Sequence, residues 1–194
     1  MNSQQIKEIL LSEIHEVSIN YEKYCNDPKH DFSRKRKLPF ELMLKNIIGM
    51  GSKSITNELI DIFQASGEMP SASAFVQQRT KIRPEALKAV FDGFMSRILA
   101  SADKMRILAV DGSDIQIETN PKDKTSHIST SIDKKSFNLL HLNALYEIDY
   151  HIYADSIIQE SKNCNEHKAL QEMVDRSTIP EALIIADRGY ESYN

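Results

Sequence analysis

Two aspartates are set apart by what precedes them. Asp111 follows the apolar run Ile107 to Val110 in ILAVD, and Asp187 follows Ala182 to Ala186 in ALIIAD. A carboxylate that closes a buried strand is costly unless it is paired or bound to a cation. Two of them on neighbouring central strands would converge on one point. Acidic clusters of that kind hold Mg²⁺, which takes oxygen ligands and keeps several waters. Paired metal ions then activate a nucleophile and stabilise the leaving oxygen in phosphoryl transfer. Two other readings start from the same residues. Asp111-Gly112 and Asp187-Arg188-Gly189 are ordinary turn sequences after strands. A strand-end aspartate is also the nucleophile of aspartyl-phosphate chemistry, but VDGSD lacks the Asp-x-Asp spacing of one such class, and no lysine follows in an obvious partner position.

The elements that must position these aspartates follow from hydrophobic period. Beyond Asp111 the pattern alternates through Ile115 and Ile117, and TNPKDKTSHISTSIDKKS is a long polar insertion. Phe137 to Ile148 and His151 to Ile158 are β-rich runs split by Asp149 and Tyr150, which predicts a hairpin. Asn165 to Val174 predicts a helix, and Ala182 to Ala186 a short buried strand after Pro180. The order is strand, strand, strand, helix, strand.

Residues 1–102 predict a separate helical domain, ahead of a mixed α/β portion over 103–194; the whole is α+β. Ile6, Ile9, Leu10, Ile14 and Val17 recur at helical spacing, predicting a helix over 3–24. Pro39 opens a second helix through Ile48. GMGSKS breaks the pattern, with Ser52 or Ser54 as the cap of a helix carrying Ile55, Leu59, Ile60 and Phe63. Ser71 or Ser73 caps a short helix through Ala74, Phe75 and Ile82, and Pro84 starts the last one, with an apolar face from Leu87 to Leu99.

Charge divides along the same line. Residues 1–100 carry 14 Lys and Arg against 12 Asp and Glu, whereas residues 101–194 carry 10 against 16. The basic charge gathers in two stretches, Lys29 to Lys53 with Arg34, Lys35, Arg36, Lys37 and Lys45, and Arg79 to Arg97 with Lys81, Arg83 and Lys88. Short helices with Gln77, Gln78, Arg79 and Lys81 on one of them are suited to base edges and phosphates. A plain helical bundle with polar outer faces gives the same pattern. No apolar run reaches the roughly 20 residues of a membrane span. Cys25 and Cys164 stand alone, which fits a reducing cytoplasm rather than a disulfide framework or a zinc site.

The stretches RKRKLPFELMLKNIIGMGSKS, SASAFVQQRTKI, RILAVDGSDIQI, FNLLHLNALYEI, NEHKALQEMVDRS and ALIIADRGYESYN resemble, in order, those of insertion-sequence DDE transposases of the group typified by insertion sequence four. DGS and ADRGY are the most specific. The resemblance implies a DNA-binding helical part and a ribonuclease-H-like core that cuts and rejoins DNA with Mg²⁺ or Mn²⁺. It implies that Asp111 and Asp187 are the first two catalytic, metal-binding carboxylates, with water as the first nucleophile and a freed 3′-hydroxyl as the second. It makes Arg34, Lys35, Arg36, Lys37, Lys53, Gln77, Gln78, Arg79 and Lys81 candidate contacts to double-stranded DNA at the terminal inverted repeats. The family's third carboxylate is a glutamate in a later segment. The chain stops before it, and Glu191 is too close to Asp187 to take its place. The expectation is therefore an incomplete core and an inactive fragment, prone to self-association, nucleoid-associated in the cytoplasm. A DNA-binding-only product or a non-functional remnant is the alternative. Asp114 is expected as a supporting group or turn cap, Asp149 and Asp155 as hairpin and surface residues, His127 as exposed, and His141 as a satisfied core histidine. Glu166 and His167 open a helix, where Glu favours the dipole.

Overall fold

The structure is a computed structural model and describes residues 2–34, 37–99, 105–129 and 135–190. The chain divides into two compact units, Met1–Ile98 and Leu99–Asn194.

The first unit is helical: α1 (Ser3–Ile19), α2 (Phe40–Gly49), α3 (Ile55–Phe63), α4 (Ala72–Arg79) and α5 (Glu85–Leu99). The caps explain the breaks. Asn2 and Gln5 form a reciprocal capping box on α1, Ser54 caps α3, and Ser71 caps α4. The first helix ends at Ile19, short of the expected 24, and Tyr21–Tyr24 tighten into a 3₁₀ turn. This turn leads to Cys25, which bridges to Ile82. Ile14, Val17, Cys25, Phe40, Leu44, Ala86 and Val90 form one core cluster. Leu38, Met43, Leu59 and Phe75 form a second.

The second unit is a mixed sheet with one helix. Its strands are β1 (Arg106–Ile117), β2 (His127–Ile128), β3 (Phe137–Glu147), β4 (Ile152–Glu160) and β5 (Ala182–Ile185), with α6 (Glu166–Asp175) between the last two. β3 is central. It pairs antiparallel with β1 along one edge and with β2 and then β4 along the other. β5 joins the far side of β1 in parallel. Leu108, Val110 and Leu145 on the sheet and Met173 on α6 form the core. Arg176 after α6 ties it to β4 by two bonds to the Asp155 carboxylate, at 2.7 and 2.8 Å. Asp155 is thus an anchor rather than a strand-surface group.

Three further expectations change. Asp111 does not end its strand: β1 runs on to Ile117, because β3 continues beside it as far as Asn138. The polar insertion contains a strand, β2, held by the buried Asn138 amide, which bonds Asn120, Ser126 and His127. β5 is apolar but not buried. Leu183 is 50% exposed and Ile185 47%, because it pairs only with β1 among the described residues.

Candidate functional site

Parallel pairing of β1 and β5 ends two residues before each aspartate. Ala109 is opposite Ile185, the last paired position of β5. Continued by two residues, the same offset would carry Asp111 opposite Asp187, past the last paired position. Each carboxylate is exposed and turned by its own backbone. Asp111 Oδ1 accepts from the Gly112 amide at 2.9 Å, and Asp187 Oδ1 accepts from the Gly189 amide at 2.5 Å. The turn expected of Asp-Arg-Gly is present at Asp187, whereas Asp111-Gly112 lies inside β1 and makes no turn.

Tyr190 registers the charge gathered here. Burial pushes its hydroxyl up to about 12, and the carboxylates of Glu166, Asp111 and Asp187, in that order, push it the same way. The Tyr190 hydroxyl has no hydrogen-bond partner among the described residues. Glu166, on the first turn of α6, thus belongs to the same negative neighbourhood as the aspartates.

Glu166 is held by His141. The histidine is 8% exposed. Its Nδ1 lies 2.9 Å from Asp114 Oδ1 and its Nε2 3.1 Å from Glu166 Oε1. Asp114 and His141 are direct cross-strand partners in the β1/β3 register. The expectation of a satisfied core histidine holds, but its partners are two carboxylates rather than backbone. Gly112 is the floor of this arrangement. A Cβ there would collide with Glu166 Oε1 and stand 2.7 Å from His141 Nε2. Nothing local in the sequence signals the contact, since Asp114, His141 and Glu166 meet only through the register and the placement of α6.

Among the described residues, no group of three or more His, Cys, Asp or Glu side chains is arranged to hold a metal ion. Asp111 and Asp187 offer carboxylate oxygens, the donor type of a hard divalent cation bound through one or two carboxylates with the rest of its shell supplied by water or phosphate.

The other candidate residues lie in the helical unit. A cavity of about 580 Å³ is lined by Lys37, Leu38, Met69, Gln77, Gln78 and Lys81, among others. A hollow of about 170 Å³ includes Arg34, Gln78 and Lys81. Five of the nine residues are therefore grouped around α4. Gln78 is buried, and its amide donates to the Leu38 carbonyl at 3.4 Å. Lys37 donates to the Gly67 carbonyl at 2.8 Å. Lys81 lies 3.8 Å from Asp31. Lys53 pairs with Asp61 at 2.5 Å and lines neither cavity. Arg34 and Arg79 are exposed. Lys35 and Arg36 lie outside the described residues.

Residues 102–194 match the family model described as the transposase DDE domain. No curated protein and no solved structure matches the chain.

Proposed function

We propose that the chain is a DDE-type transposase, with a ribonuclease-H-like second unit and Asp111 and Asp187 as its metal-binding catalytic carboxylates. One observation carries the reading: the last parallel pair of β1 and β5, Ala109 with Ile185, stands two residues before both Asp111 and Asp187, inside the segment that matches the transposase DDE domain. The strand order, with β5 parallel to β1 and β3 antiparallel between β1 and β4, supports the fold assignment. On this reading the aspartates hold Mg²⁺ or Mn²⁺, through oxygens left free by the Gly112 and Gly189 bonds. The bound metal supplies Lewis-acid activation and offsets charge on the phosphate. The helical unit binds double-stranded DNA at transposon ends, with the cationic and amide side chains around α4 meeting phosphate and base edges. The insertion-sequence-four grouping, the nucleoid location and self-association belong to the same proposal.

A binding-only role is the second reading. It is favoured by the absence, among the described residues, of a third donor joined to the aspartates. Incubation with supercoiled DNA and Mg²⁺ or Mn²⁺ separates the two. The enzyme reading expects nicking that Asp111→Asn and Asp187→Asn each abolish. Salt-sensitive binding with no nicking by any form of the chain would leave the binding-only reading. Failure to bind at low salt would remove both.

A further inference from the structure

We infer that His141 is a positioning residue for Asp111: it seats the Glu166 carboxylate over Gly112 and so fixes the backbone that carries Asp111. The inference rests on the proposed role of Asp111 and Asp187 and adds residues to it.

Side chains alternate across β1, so Asp111 and Gly112 address opposite faces of the sheet. Gly112 shares its face with Leu108, Val110 and Asp114, and with Leu145 and His141 of β3, because direct cross-strand partners point the same way. That is the face covered by α6. Glu166 therefore packs on the backbone beside Asp111, not on the Asp111 carboxylate. Three elements meet at one ring. Asp114 of β1 bonds His141 Nδ1, and Glu166 of α6 bonds Nε2. Ser161, before α6, reaches the same Asp114 oxygen at 3.4 Å.

The ring is nearly buried, whereas the Glu166 side chain is 35% exposed and the Asp114 side chain 51%. A carboxylate with that much water access does not need a histidine for solvation; without one it samples many rotamers. The histidine removes that freedom from Glu166, and Gly112 makes room for the result. What is fixed is the stretch from Gly112 to Asp114, and with it the Gly112 amide that holds Asp111 Oδ1. The Asp111 carboxylate thus inherits its rotamer from a clamp on the other face of the sheet. Groups that orient a metal ligand from behind affect affinity without touching the metal.

The test uses the full chain with His141→Gln, Glu166→Gln and, as reference, Asp111→Asn. One readout is the amide resonance and exchange rate of Gly112, which reports directly on the bond to Asp111 Oδ1. The other is Mn²⁺ affinity. His141→Gln and Glu166→Gln are expected to shift the Gly112 resonance, to speed its exchange and to weaken Mn²⁺ binding about 10- to 100-fold, with far-UV dichroism unchanged. Glu166→Gln keeps the ring in place and so serves if the His141 variant does not fold. Wild-type Gly112 behaviour and wild-type Mn²⁺ affinity in the folded variants would overturn the inference. Loss of Mn²⁺ binding in Asp111→Asn alone would also overturn it, while sparing the metal reading. The reverse, a disturbed Gly112 amide in His141→Gln with Mn²⁺ binding indifferent to Asp111→Asn, would sink the metal reading and leave the clamp.

Discussion

Gly112 is the residue on which the site's packing turns. Its missing Cβ is occupied by Glu166 Oε1 and His141 Nε2. The carboxylate end could swing aside, but the imidazole that holds it is part of a central strand. Gly112→Ala should cost about 1–3 kcal/mol, the usual penalty for overfilling a packed position. Gly49, with nothing within 4 Å of its notional Cβ, is the control, and Gly49→Ala should be neutral or gain up to ~1 kcal/mol. Denaturant midpoints at unchanged slope would measure both. Tyr190 allows a test by pH. Its hydroxyl, normally near 10, is raised to about 12 in the folded chain. Between those values the unfolded chain has lost the proton that the folded chain keeps. Stability should therefore be intact below pH 10 and fall as pH climbs toward about 12. Tyr190→Phe should flatten that fall. Difference absorbance titration against Tyr190→Phe should show the value dropping in Glu166→Gln, Asp111→Asn and Asp187→Asn, because each removes a repelling charge. The sequence singled out Asp111 and Asp187 as carboxylates closing buried strands, but both are exposed and Asp111 lies within β1. His141 and Glu166 were not legible as partners, since 25 residues separate them and only the register joins them.

The elements were legible where a local signal ends them. Pro39, Ser54 and Ser71 each mark a helix start by satisfying or sparing an exposed amide, and the helices begin there. The strands of the hairpin were legible from β-rich composition. β2 was not, because two residues in a polar stretch carry no period. It exists because Asn138, fully buried, supplies the acceptor and donors that the insertion lacks. Asn138→Ala would strip bonds from Asn120, Ser126 and His127 at once. The expected loss is about 2–3 kcal/mol, given ~1 kcal/mol for each net bond and more for a buried group left unpaired. Amide exchange should localise the damage: protection lost from Asn120 to Ile128 but kept in β1 and α6. Uniform loss across the sheet would mean that the insertion is part of the cooperative core and not an appendage to it. The burial of β5 was misjudged for a similar reason. Apolar composition states what a strand can bury against, not whether a neighbour is there to receive it.

At the scale of the whole chain, the two compact units differ in charge as they do in architecture, and the proposed functions divide with them. The basic excess of the helical unit is smaller in effect than the sequence suggests. Lys45, Lys53, Arg83, Lys88 and Arg97 all face carboxylates. Such exposed pairs contribute little to stability, but they do reduce the field that a DNA phosphate would meet. Arg34 and Arg79 carry no such ion pair among the described residues and are the better candidates for direct phosphate contact. If so, Arg34→Ala and Arg79→Ala should each weaken duplex binding with little regard for sequence. Each should also lower the slope of log affinity against log salt by about 1. Lys53→Ala, which frees Asp61 and removes a paired cation, should change that slope less. Asp111→Asn should leave the slope alone, because it alters only the proposed metal site of the other unit. A titration of fluorescent duplex at several salt concentrations reads all four. Equal effects from Lys53 and Arg79 would mean that DNA engages the helical unit as a diffuse charge, whereas a drop in slope in Asp111→Asn would tie DNA binding to the acidic unit instead.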